Sequence, residues 1–130
     1  MSPTNGGYLL DTHVLLWLLS GSGNVAPEVV DELADPNRQV VVSAVVPWEV
    51  AIKRALGKLR APFDLVAQIS RAGLASLPIT LEHGAAVADL PPHHRDPFDR
   101  MLVVQARAEG LTLLTSDRRL ADYDAEVRLL

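Results

Sequence analysis

Four acidic residues stand where a carboxylate can do chemistry. Asp11 follows the short apolar run Tyr8 to Leu10, and Asp117 follows the run Leu111 to Thr115. Glu49 lies one or two turns into the helical spacing that follows Gln39 to Ser43, and Asp99 lies in the first turn of a helix opened by Asp96-Pro97. If the apolar runs are neighbouring strands, all four side chains project from one edge of a sheet. Carboxylates so close repel one another and raise each other's pKa, and a cation between them relieves this. The chain has no cysteine and no paired-histidine spacing on a helix. The expected ligands are therefore all oxygen, which suits hard Mg²⁺ or Mn²⁺ rather than Zn²⁺.

Taken singly, each acid has a plainer explanation. Aspartates after strands are common turn residues. Asp96 reads as a helix N-cap and Asp99 as a favourable first-turn acid. Glu49 can pair with Lys53 four residues on. The shared edge is what lifts the set above its members.

The elements that must position these residues alternate strand with helix. Tyr8 to Leu10 reads as a strand and Val14 to Leu19 as a helix. Pro27 in a first helical position opens a second helix, with Val29, Val30 and Leu33 as its apolar face, before Asp35-Pro36 ends it. Gln39 to Ser43 is β-branched and strand-like, and Ala44 to Leu56 shows helical spacing through Val45, Trp48, Ile52 and Leu56, with Gly57 as the stop. Asp64 to Ala72 forms another helix, and Ala75 to Ile79 a strand that Pro78 confines to a sheet edge. Thr80 caps a helix reaching about Ala88, and Pro91-Pro92-His93-His94-Arg95 forces an extended connection. Asp96-Pro97 then starts the best-marked helix, with Met101, Leu102, Val104 and Ala108 toward a core and Gly110 as its end. Leu111 to Thr115 is a strand, Asp117 to Ala121 a turn or short helix, and Val127 to Leu130 the last strand. Such alternation gives a parallel sheet covered on both faces, whose ligands bind beyond the carboxyl ends of the strands, where strand order reverses.

With 130 residues, 48% hydrophobic and 22% charged, the chain is the size of one domain that buries roughly two-thirds of its unfolded surface. A short flexible leader over residues 1–7 and a single domain over 8–130 are expected. The longest early apolar run, Val14 to Leu19, is far too short to span a bilayer, and Met1 to Tyr8 has no cationic region. Together with the absence of cysteine, this points to a cytoplasmic protein with no membrane contact. The net charge of −4 does not exclude a nucleic-acid partner. If four of the 16 acids form a metal site, the other 12 balance the 12 basic residues.

Four segments resemble the motifs of VapC-type PIN-domain ribonucleases, the toxins of type II toxin–antitoxin pairs. They are Leu9-Leu10-Asp11-Thr12-His13 with Val14-Leu15-Leu16-Trp17, then Pro47-Trp48-Glu49-Val50-Ala51-Ile52-Lys53 ending in Leu56-Gly57-Lys58-Leu59. His94-Arg95-Asp96-Pro97-Phe98-Asp99-Arg100 and Leu114-Thr115-Ser116-Asp117 follow in the same order. The resemblance implies a three-layer α/β fold with a parallel sheet of about five strands flanked by helices. It also implies cleavage of RNA phosphodiesters with Mg²⁺, for which Mn²⁺ substitutes, and places Asp11, Glu49, Asp99 and Asp117 as catalytic and metal-holding acids. Thr12, Thr115 and Ser116 become supporting hydroxyls. A homodimer and a VapB-type antitoxin complete the implied partners. Arg100, Lys53 and Arg118 are candidate phosphate contacts, although each is also an ordinary surface charge.

In the expected chemistry, water activated at the acids attacks in line, without the ribose 2′-OH, leaving 5′-phosphate and 3′-hydroxyl ends. A metal-free ribonuclease using His13, His83, His93 or His94 is a rival, but no histidine pair is evidently positioned, and His13 is expected to pack after the first strand. A phosphate-accepting signalling domain needs paired acids after its first strand, and a haloacid-type phosphatase needs Asp-x-Asp; the chain has Asp11-Thr12-His13 instead. A catalytically silent scaffold binding RNA or protein is the remaining alternative.

Overall fold

A computed structural model describes residues 7–130; residues 1–6 of the expected leader lie outside the described residues. Gly7, expected to close that leader, is buried. Its carbonyl accepts the Thr112 N–H at 3.0 Å, and a Cβ there would stand 2.7 Å from Leu111 Cδ2, too close unless a neighbour shifts.

Five strands, β1 (Tyr8–Leu10), β2 (Val40–Ser43), β3 (Ala75–Leu77), β4 (Thr112–Thr115) and β5 (Val127–Leu129), form one sheet in the order β3-β2-β1-β4-β5. Every pairing is parallel, with Leu9 opposite Val41 on one side and Leu113 on the other. The central strands β1 and β2 are buried throughout, as a sheet covered on both faces requires. Six α-helices among the described residues supply the outer layers: α1 (Thr12–Ser20), α2 (Pro27–Leu33), α3 (Val45–Ala55), α4 (Leu65–Arg71), α5 (Leu81–Ala86) and α6 (Pro97–Glu109). This is the expected three-layer α/β arrangement. None of these helices is long and apolar enough to cross a membrane.

Local chemistry sets the boundaries. Thr80 caps α5 in a capping box with His83, and Asp96 caps α6 by accepting the N–H groups of Phe98 and Asp99, with Pro97 where no N–H is needed. Gly110 ends α6 at φ 65°, a left-handed conformation that a side chain would strain. β3 is an edge strand, in keeping with Pro78 just beyond it.

The sequence reading left the inward side of α3 open and set Ala108 of α6 toward the core. On α3 the stripe Trp48, Ile52 and Leu56 faces solvent, at 56%, 37% and 62% exposure, while Val45, Val46, Glu49 and Val50 turn inward. Apolar spacing identified a face, but the inward side is the one carrying Glu49. Along α6 the buried run is Leu102 to Ala106, whereas Ala108 is exposed. That helix lies against α3, α5 and β4, so it is enclosed on more sides than a single stripe provides for.

Candidate active site

The sheet reverses its strand order between β1 and β4, and an aspartate follows each strand, Asp11 directly after β1 and Asp117 two residues past β4. A cavity of about 190 Å³ opens at this edge, and Asp11, Glu49, Asp99 and Asp117 all line it. Asp11 caps α1 through the Val14 N–H at 2.9 Å and accepts the Thr115 hydroxyl on its other oxygen. Thr115 Oγ1 in turn accepts the Asp117 N–H at 3.1 Å, so one hydroxyl ties the two strand-end acids together. Thr12 donates to Glu49 Oε1, and Lys53 pairs with Glu49 Oε2 as its i,i+4 spacing allows. Ser116 also lines the cavity.

The three aspartates do not titrate alike. Burial, reinforced by the charges of Asp96, Glu49, Asp11 and Asp117, pushes the Asp99 carboxyl up to about 7. Burial also raises Asp11, against the opposing hydrogen bonds from Thr115 and Val14. Asp117 is held at about 2, chiefly by the Arg119 guanidinium, with burial opposing and His94 assisting. For Lys53, the hydrogen bond and charge of Glu49, with help from Asp96, outweigh burial and raise its pKa.

His94, which the sequence reading weighed only for a rival metal-free mechanism, stands among the acids. Its ring is buried in the site, with Nε2 2.9 Å from Asp117 Oδ2 and 3.3 Å from Asp99 Oδ2. Ligand atoms of His94, Asp99 and Asp117 lie within 4.8 Å of one another, so the acids share the site with an imidazole ring. His13, expected to pack after β1, instead lies exposed at the rim of the cavity beside Trp17. His83 is buried elsewhere, between Thr80 and Glu109.

The basic candidates also separate. Lys53 and Arg119 line the cavity, while Arg118 and Arg100 do not. Arg100 Nη1 and Nη2 donate to the carbonyls of Val87, Leu90, Pro91 and His94 and to the Tyr123 hydroxyl, leaving the guanidinium engaged with protein rather than presented to a ligand.

The residues present fit a hard divalent cation. Carboxylate oxygens predominate, thiolates are absent, and Asp99, its pKa raised first by burial and then by four neighbouring acids, is a carboxyl that a nearby cation would favour in its charged form.

The PIN-domain family model matches residues 8–126. The chain belongs to the PIN-domain family. A search of curated protein sequences finds no significant match. Among solved structures, this PIN domain is similar to a chain in the DNA-bound VapBC2 complex of Rickettsia felis, with a TM-score of 0.72, 14% identity, and coverage of 95% of this chain and 98% of that one. A chain of the DNA-bound VapBC complex of Salmonella typhimurium gives a TM-score of 0.66 at 15% identity, covering 95% and 96%. A domain of a functionally unknown protein from Methanocaldococcus jannaschii gives 0.55 at 16%, covering 96% and 91%. At such identities the likeness is one of fold.

Proposed function

We propose that this PIN domain is a metal-dependent endoribonuclease acting as the toxin of a toxin–antitoxin pair. The observation that carries the reading is the convergence of Asp11, Glu49, Asp99 and Asp117 on one cavity at the strand-order reversal. Membership of the PIN family supports nuclease chemistry, and the fold shared with chains of two VapBC complexes supports the toxin role.

Asp11, Asp99 and Asp117 are the residues that would hold Mg²⁺, with Mn²⁺ as a substitute. When bound, the cation supplies a water of lowered pKa and neutralises charge developing at the scissile phosphate. Asp11 is oriented by Thr115 and the Val14 N–H, and Glu49 by Thr12 and Lys53, so both carboxylates keep fixed directions. We assign Glu49, which lines the cavity, the role of accepting a proton from an attacking water. Lys53 and Arg119 at the rim offer cationic donors to a phosphate backbone.

Apolar surface supports protein partners. A cavity of about 320 Å³ between α1 and α2 is lined by Trp17, Leu18, Val25, Pro27 and Val30, and the exposed stripe of α3 adds Trp48, Ile52 and Leu56. We assign these surfaces to a VapB-type antitoxin and to a second copy of the chain in a homodimer. The expected setting is the cytoplasm.

Incubating purified, partner-free protein with pooled transfer and ribosomal RNA tests the reading. Cleavage in Mg²⁺, its loss in EDTA, and fragments bearing 5′-phosphate and 3′-hydroxyl ends are expected. Persistent cleavage in EDTA, or mainly 2′,3′-cyclic phosphate ends, would contradict it.

A further inference from the structure

His94 sits between two acids of the site and offers two chemically different roles. A ring nitrogen with a free lone pair can ligate a cation; a ring N–H can only orient the carboxylates that do. The backbone decides between them. Asp96 N–H donates to His94 Nδ1 at 3.0 Å, which requires the lone pair to be on Nδ1. The single ring proton is then on Nε2, where Asp117 Oδ2 accepts it at 2.9 Å, with Asp99 Oδ2 lying 3.3 Å from the same nitrogen. Ligation through Nε2 would move that proton to Nδ1 and set two N–H groups against each other at Asp96.

We propose that His94 is the positioning residue of the site, its Nε2–H holding the Asp117 carboxylate beside that of Asp99 while the ring itself does not ligate the cation. The inference rests on the metal-dependent reading above.

Two further observations support the role. The ring cannot drift: the His94 N–H donates to the Tyr123 hydroxyl at 2.9 Å, Arg100 Nη1 reaches the His94 carbonyl at 3.3 Å, and the side chain is only 5% exposed. Asp117, by contrast, has somewhere else to go. Arg119, 66% exposed, holds Asp117 Oδ1 through Nε at 3.1 Å and Oδ2 through Nη2 at 3.0 Å, drawing the carboxylate toward solvent. His94 is the donor that keeps the same Oδ2 directed toward Asp99. Without it, the bidentate pair with Arg119 has no competitor.

The test is made on the full chain without RNA, using MgCl₂ as the probe. Two-bond ¹H–¹⁵N spectra of the histidine rings report which nitrogen carries the proton, and calorimetry reports Mg²⁺ affinity for wild type, His94→Ala and His94→Gln. His94 is expected to keep the Nε2–H tautomer with and without Mg²⁺. His94→Ala is expected to weaken Mg²⁺ binding by about 10- to 100-fold, as loss of a group orienting a metal ligand does. His94→Gln retains an N–H donor and is expected to recover affinity toward wild type. A ring that moves to Nδ1–H on adding Mg²⁺ would overturn the inference by making His94 a ligand, and so would unaltered affinity in His94→Ala. Should His94→Ala fail to fold, the wild-type tautomer and the His94→Gln affinity still decide it. Failure of the wild type to bind Mg²⁺ at all would overturn the metal-dependent reading itself. Mg²⁺ binding that depends on His94, joined to an absence of cleavage in the separate assay on pooled RNA, would uphold the inference and overturn the ribonuclease reading.

Discussion

Asp96 Oδ1 accepts the backbone N–H of Asp99 at 3.4 Å, so the residue that caps α6 also fixes the turn from which the Asp99 carboxyl enters the cavity. The two acids are thereby divided in role: Asp96 offsets the open end of the helix, and Asp99 is left among like charges. This division underlies the pH behaviour of the protein.

Asp99 stands near 7 in the fold against an ordinary value of 3.8, so between those values the folded state holds its proton more tightly than the unfolded chain. The stability it contributes is complete below 3.8 and is lost as pH rises through about 7. Asp117, held at about 2, contributes in the opposite sense, but only at lower pH. Metal-free protein is therefore expected to lose stability between pH 5 and pH 8. Asp99→Asn, which carries no charge to bury, is expected to raise unfolding free energy at pH 8 by on the order of 2 kcal/mol. Urea denaturation of both proteins at the two pH values checks this; an Asp99→Asn variant less stable than wild type at pH 8 would contradict it.

The same carboxyl links cation binding to protons. Below about 7 a cation at Asp99 must displace a proton, and above it the carboxylate is already free. Mg²⁺ affinity is expected to rise between pH 6 and pH 8. Calorimetry in buffers of different ionisation enthalpy should show close to one proton released per site at pH 6 and little at pH 8. A pH-independent affinity would show that Asp99 is not engaged by the ion.

Arg100 distinguishes support of the loop from contact with nucleic acid. Its guanidinium holds the carbonyls of Val87, Leu90, Pro91 and His94. Arg100→Lys cannot reproduce that fan of donors and is expected to cost about 1–3 kcal/mol of stability. Hydrogen exchange over residues 91–96 should quicken, while the salt dependence of RNA binding should stay as in wild type. A shallower salt dependence with unaltered exchange would return Arg100 to the phosphate-contact role.

Much of the fold was legible because local chemistry wrote it. Asp96-Pro97 and Gly110 bound α6, Thr80 starts α5, β-branched residues form β2, and Pro78 lies beside an edge strand. The acids were legible for a related reason: each follows a strand or lies near a helix start, so chain order alone sends them to one sheet edge. His94 was not, because its partner Asp117 lies 23 residues away and its own segment reads only as a proline-rich connection. The partners of Arg100 were hidden for the same reason. Pro91 and Pro92 bring carbonyls without N–H groups, but nothing local says which distant donor satisfies the carbonyls of this connection. On α3, spacing marked Trp48, Ile52 and Leu56 as one face, and only the tertiary arrangement shows that this face is outward.

The most direct measurement compares initial rates of RNA cleavage by wild type and Asp99→Asn in Mg²⁺, once both are shown to be folded, with EDTA as the parallel control. Cleavage by wild type in Mg²⁺ alone, reduced by roughly 10²-fold or more in Asp99→Asn, is the expected result. Equal rates for the two proteins, or wild-type cleavage that survives EDTA, would contradict an active site built on these acids.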